Sequence, residues 1–184
     1  AMRRACERRR LPRHVEIIVV PAHGPQTKPK ALNYALQFAR GSLVAVFDAE
    51  DIPDRRQLRT AAEAFAAAPP AMACFQASLR FFNANRDWLT RQFAIEYGSL
   101  FEYVLPTLAH LGLPLPLGGT SNHFRIDVLR AIGAWDPHNV TEDADIGLRL
   151  ARLGYSTGML PSATQEEATC GLANWMRQRA RWQK

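Results

Sequence analysis

The stretch Leu43-Val44-Ala45-Val46-Phe47-Asp48-Ala49-Glu50-Asp51-Ile52-Pro53-Asp54 constrains this chain more than any other. Five apolar residues, Leu43 to Phe47, run without a break, which reads as a strand buried on both faces, as in a parallel sheet. Four carboxylates follow within seven residues: Asp48, Glu50, Asp51 and Asp54. A buried strand that ends in acids delivers them to the carboxyl edge of its sheet, where open α/β sheets bind ligands. Carboxylates this close repel one another unless a cation lies among them. Hard oxygen donors suit Mg2+ or Mn2+, often with substrate phosphates completing the shell. The same acids would also serve as a solvated turn, closed by Pro53 ahead of a helix whose N-terminus favours negative charge.

The 184 residues suffice for one domain with a real core, and no apolar run is long enough to span a membrane alone. No apolar segment follows the Arg-rich start, so no signal peptide is read there. The net charge of +6 is unevenly placed. Residues 1–13 hold six arginines against one acid, Glu7, and the remainder is nearly neutral. The basic balance therefore describes an N-terminal arm, residues 1–14, and not a nucleic-acid-binding face; no nucleic-acid partner is expected. Three distant cysteines, Cys6, Cys74 and Cys170, give neither a metal spacing nor a disulfide framework and fit a reducing cytoplasm. The histidines form no zinc-type pair.

In chain order, the pattern predicts a helix over Arg3–Leu11 and a strand over Val15–Val20. A helix over Lys30–Ala39 leads to the strand Leu43–Phe47, so residues 15–47 read as a right-handed β-α-β crossover between parallel strands. A helix over Asp54–Ala68, a strand over Met72–Phe82 and a long helix over Trp88–His110 come next. The proline-broken apolar stretch Leu111–Leu117 is either buried or meets a membrane or partner. Gly118-Gly119-Thr120-Ser121-Asn122 is a small polar loop in which glycine permits close approach of a ligand. His123–Ile132 runs from a short strand into a helix. Thr141 reads as the N-cap of a helix through Leu153, with Glu142, Asp143 and Asp145 in its first turn. Ser156–Leu160 is a short strand, and Gly171–Gln183 a terminal helix. No repeat or linker divides residues 15–184.

Four motifs stand in order along this framework: Lys30-Ala31-Leu32-Asn33-Tyr34-Ala35-Leu36, Asp48-Ala49-Glu50, Thr141-Glu142-Asp143 and Gln178-Arg179-Ala180-Arg181-Trp182. Together they resemble the processive family 2 glycosyltransferases, the group of bacterial cellulose, chitin and hyaluronan synthases. The resemblance covers residues 15–184. It implies an α/β GT-A fold, Rossmann-like, with a mostly parallel sheet flanked by helices. It further implies an inverting, metal-dependent hexosyltransferase that moves a sugar from a nucleotide-sugar, a UDP-sugar in the main expectation, to a growing polysaccharide or glycan acceptor.

On that resemblance Asp48 and Glu50 hold Mg2+ or Mn2+ and the donor, with Glu50 standing where the family carries a second Asp and Asp51 able to serve instead. Lys30, Gln178 and Arg181 hold the donor diphosphate. Asp143 is the general base, with its pKa expected to be lowered at a helix N-terminus. Trp182, Glu142, Gly119 and Thr120 face the acceptor. The family's first strand is not found, so the expectation is a partial GT-A domain of a polytopic enzyme. Its partners would then include transmembrane helices and the cytoplasmic surface of the bacterial inner membrane. The alternative is a GT-A-like assembly or binding module without activity.

Overall fold

Strand β3, Met72–Phe81, is the spine of the molecule. Its apolar and small side chains let both neighbours close on it, and Ala73, Cys74, Ala77 and Leu79 are all buried. The computed structural model describes residues 14–183. The expected Arg3–Leu11 helix and Cys6 therefore lie outside the described residues.

The elements in chain order are α1 (Lys28–Leu36), β1 (Leu43–Val46), β2 (Ile52–Pro53), α2 (Gln57–Ala67), β3, and α3 (Trp88–Ser99). A π-helical turn (Leu100–Val104) separates α3 from α4 (Leu105–His110). Then come β4 (Asn122–Arg125), α5 (Ile126–Ala131), α6 (Glu142–Arg152), β5 (Ser156–Glu166) and α7 (Leu172–Trp182). The five strands form one sheet in the order β1-β4-β3-β5-β2.

Among the described residues only β3 and β5 pair in parallel, and the β1–β4, β3–β4 and β2–β5 pairs are antiparallel. The expectation of a mostly parallel sheet is corrected accordingly. The reason lies in β4, which returns from the glycine loop and inserts between β1 and β3. Strand β1 is consequently an edge of this sheet, and only Val46 in it is fully buried. The Val15–Val20 strand is corrected as well: these residues join no ladder among the described residues, and Val19 is 64% exposed. Strand propensity records how well a side chain fits a pleated, half-buried surface, and it forms no strand without a neighbour.

The main core gathers Phe101, Leu105, Leu115, Phe124, Leu129, Ile146 and Leu150 beneath the sheet. The apolar stretch before the glycine loop is split by it. Leu115 and Leu117 are buried there, while Leu111 and Leu113 stay exposed. Asn33 exchanges two hydrogen bonds with the backbone of Trp135, at 2.6 and 3.0 Å, so this motif residue fixes α1 to the chain before α6. The long helix expected over Trp88–His110 is interrupted by the π turn just ahead of Pro106, whose missing N–H cannot continue the α-helical ladder. The turn brings Phe101 under the glycine loop. Among the described residues no helix is long and apolar enough to cross a membrane.

Candidate active site

The chain leaves β1 at Val46 and folds back at once. The Asp48 amide donates to Asp51 Oδ2 at 2.7 Å and to Thr120 Oγ1 at 3.2 Å, while the Thr120 hydroxyl donates to the Asp51 carboxylate. Asp51 Oδ2 is thus the keystone of the turn, while its Oδ1 is buried without a hydrogen-bond partner. Its work leaves the Asp48 side chain facing outward, where it meets the Lys28 ammonium. Glu50 is exposed beside it.

Lys28 also donates to the Gly119 carbonyl at 2.7 Å, so one cation joins the acidic turn to the glycine loop. Lys30, the residue singled out from the sequence, lies elsewhere: it donates to the carbonyls of Pro21 and His23 and ties down the preceding loop. Two residues on a helix diverge by roughly 200°, so only one of these lysines can face the carboxylates. Of Lys28-Pro29-Lys30 it is Lys28, not singled out from the sequence, that meets Asp48. The proline at the helix start was the usable signal, because it makes Lys28 the first helical residue, next to the sheet edge.

The glycine loop is held by a buried amide. Gln76 on β3 is fully buried, donates to Thr120 O at 2.9 Å and to Ala77 O at 2.8 Å, and accepts from the Gly118 amide at 2.9 Å. Asn122 donates to Gly118 O at 2.6 Å. Both glycines answer a demand for space. A Cβ on Gly118 would stand 2.9 Å from Phe101 Cζ, and one on Gly119 would stand 3.1 Å from Asp143 Oδ2.

Asp143, on the first turn of α6, therefore lies directly over the loop. Its Oδ1 accepts from the Ala144 amide at 2.8 Å. The expected depression of its pKa is corrected: burial dominates and raises it, Asp48 adds to the rise, and the local amides and Lys28 only partly oppose it. Burial likewise raises Glu142, with Asp143 and Asp48 contributing, and a backbone hydrogen bond and Lys28 opposing. Thr141 makes no side-chain cap; its amide and hydroxyl are engaged with Asn139 Oδ1.

A further acid went unnoticed in the sequence. Glu166 ends β5, and its Oε1 is buried without a hydrogen-bond partner. Burial, then the charges of Asp51, Asp48 and Glu50, push its pKa up to about 7. The signal was hidden by Pro161, which suggested that the strand stops at Leu160. Instead the strand continues through a bulge: Leu160 pairs with Ala77 and Ala163 with Ser78. A carboxyl that ordinarily titrates near 4.5 and titrates near 7 when folded favours the folded state below 4.5. That advantage disappears as pH rises through 7. Melting scans of the metal-free protein should show Tm falling across this window, and Glu166→Gln should flatten the fall.

The motif residues of α7 are dispersed. Arg181 is exposed, Gln178 is half-buried with its Oε1 closed off from solvent, and one face of the Trp182 ring is covered by the Arg179 guanidinium at 5.0 Å. The residues brought together are Asp48, Thr120, Gly119, Asp143 and Glu142, around Lys28. Among the described residues no three His, Cys, Asp or Glu side chains are arranged to hold a metal. A donor set of two carboxylates still fits Mg2+ or Mn2+ in the usual way, because phosphate oxygens and water complete such a shell. The acidic edge already attracts a cation, since Lys28 lies against Asp48, and Glu166 registers the surplus of negative charge.

A family model described as glycosyltransferase like family 2 matches residues 1–184. The chain belongs to this family. It is similar to a probable glycosyltransferase, YdaM, of Bacillus subtilis strain 168: 26% identity over 168 residues, 90% of this chain and 40% of the relative. Similarity to the cellulose synthase catalytic subunit [UDP-forming] of Pseudomonas fluorescens SBW25 reaches 32% over 156 residues, 82% of this chain and 21% of that protein. The beta-monoglucosyldiacylglycerol synthase of Synechocystis PCC 6803 is 29% identical over 157 residues, 84% of this chain and 32% of its own. The chain thus spans well under half the length of each of these relatives.

Among solved structures, a mannosyltransferase, PcManGT, from Pyrobaculum calidifontis in complex with GDP-Man and Mn2+ superposes with a TM-score of 0.66 at 22% identity, over 97% of this chain and 47% of that one. The family 2 domain has a GT-A-like fold, a mixed sheet with flanking helices.

Proposed function

We propose that this domain transfers a glycosyl group from a nucleotide-sugar, a UDP-sugar, to a glycan acceptor with inversion at the anomeric carbon. The observation that carries this reading is the approach of Asp48 and Asp143 to the same glycine loop. Lys28 pairs with Asp48 and holds the Gly119 carbonyl, and Gly119 lies beneath the Asp143 carboxylate. A donor-side acid and a buried base thus share one edge of the sheet.

In the proposed reaction Asp143 accepts the proton of an acceptor hydroxyl as that oxygen bonds to the anomeric carbon. The bond from that carbon to the diphosphate breaks on the opposite side, and the nucleoside diphosphate leaves with the electron pair. Burial raises the basicity of Asp143 toward that role. Asp48 and Glu50 would hold Mg2+ or Mn2+, which when bound supplies positive charge against the diphosphate. Gln178 and Arg181 would contact the diphosphate, Arg by paired hydrogen bonds. Glu142, Gly119, Thr120 and Trp182 would border the acceptor; indole offers sugar rings an apolar platform. The name of one relative, cellulose synthase catalytic subunit [UDP-forming], supports a UDP-sugar donor and a polysaccharide acceptor.

Calorimetric titration of UDP, and in parallel GDP, with and without Mn2+ tests the donor site. Metal-dependent binding of UDP is expected, lost in Asp48→Ala. Binding that ignores both the metal and the mutation would remove Asp48 from the site. Metal-dependent preference for GDP would overturn the choice of uridine.

A further inference from the structure

Helix α7 carries Gln178, Arg181 and Trp182, yet none of its residues is fully buried. The helix is seated by the half-buried Trp175, packed on Leu89, Phe93 and Ala168, and by Arg179, which lies between Gln178 and the Arg-Trp pair. Its Nη1 donates to Glu96 Oε1 at 2.6 Å, and its Nη2 donates to Glu96 Oε2. This is the parallel two-bond geometry that only a guanidinium provides. The same cation stacks over Phe93 of α3 at 5.1 Å, over Trp175 at 5.6 Å and over Trp182 at 5.0 Å. Three rings and a carboxylate thus enclose a side chain that keeps only 23% of its exposure.

The helix on the other side of this contact is not a neutral support. Glu96 lies one residue from Tyr97, which packs on Phe101, and Phe101 lies against Gly118 in the glycine loop. Helix α3 and its π turn therefore carry the loop beneath Asp143 at one end and clasp α7 through Glu96 in the middle. Arg179 and Arg181 diverge by roughly 200° around α7, so turning Arg179 toward α3 turns Arg181 outward. Arg181 is indeed exposed.

We infer that the Arg179–Glu96 clasp is a positioning device of the donor site: it sets the rotation of α7 and so where Arg181 and Trp182 point. Arg179 itself touches no substrate. The inference rests on the proposed role of Arg181 in holding the diphosphate.

The test uses Glu96→Gln, Arg179→Lys, and the exchange Glu96→Arg with Arg179→Glu. One readout is independent of any ligand: tryptic cleavage within α7 and the tryptophan emission of the free protein. Glu96→Gln is expected to speed cleavage about tenfold and shift the emission, as loss of a charge-assisted pair implies, while global Tm stays within a few degrees. The second readout is the Kd of UDP with Mn2+. It is expected to weaken about tenfold in Glu96→Gln and Arg179→Lys, and to recover in part in the exchanged pair. Loosened α7 with unchanged UDP affinity would overturn the positioning role. Unchanged cleavage and emission would overturn the clasp itself. Arg181→Ala, measured alongside, separates the two layers: if it leaves UDP affinity unchanged, the diphosphate reading fails and takes the positioning role with it, while the cleavage rates still decide the clasp.

Discussion

Asp143→Asn is expected to lower glycosyl transfer by about a thousandfold, the range over which a positioned general base acts, with UDP affinity held within about twofold. Asparagine keeps the shape and can still accept from the Ala144 amide, but its amide oxygen cannot retain a proton. The pH profile offers a second check. Because burial raises the Asp143 pKa, the acid limb of the rate should lie at higher pH than an ordinary aspartate would give. Stability should move the other way. A buried carboxylate with a raised pKa weighs against folding once it ionises, so the Asn variant should match or exceed the parent in Tm at neutral pH. Loss of both activity and stability would point to a structural role, and undiminished transfer would remove Asp143 from the chemistry.

Gly147→Ala should be the most damaging of the Gly→Ala changes. Helix propensity alone favours alanine by about 1 kcal/mol. Here the added Cβ would lie 1.9 Å from the Leu115 carbonyl oxygen and 3.1 Å from Leu117 Cγ. The obstacle is backbone, packed in the core beside Ile146 and Leu150, and it has nowhere to go. A loss of roughly 3 kcal/mol is expected, with Tm lower by about 10 °C. Gly98→Ala supplies the control, because its Cβ would meet nothing within 4 Å; it should be neutral or stabilising by about 0.5 kcal/mol. Equal effects at the two positions would refute the steric account. The contact also reaches the site, since Leu115–Leu117 leads into Gly118 and α6 carries Asp143. Gly147 therefore sets how closely Asp143 and the glycine loop approach.

What could be read from the sequence was what depends on local order. The apolar run ending in Asp48, the first turn of α6 with Asp143, and the two glycines before Thr120 were all visible, because each is a short pattern with a local cause. Hidden were the features fixed by pairing across distance. Nothing in Val15–Val20 shows that it joins no ladder among the described residues, and nothing in Asn122–Arg125 shows that it inserts between β1 and β3. Glu166 was masked by Pro161, because a bulge is a property of two strands and not of one. The choice of Lys28 over Lys30 turned on helix phase relative to a sheet edge. The raised pKa of Asp143 depended on burial, which a sequence reports only indirectly.

The ammonium of Lys28 gives the acidic edge a resident counter-ion, attached to the chain and already in contact with Asp48. A metal–diphosphate complex that takes Asp48 Oδ1 from Lys28 enters by exchange, releasing one cation as it delivers another. Measured affinity then reports the difference between two pairings and not the strength of either. Its dependence on ionic strength should be shallow, because little net charge is neutralised on entry. A neutral sugar brings no replacement cation and has nothing with which to displace the lysine. The edge would thus discriminate an activated sugar from a free one before any contact with the sugar ring is made.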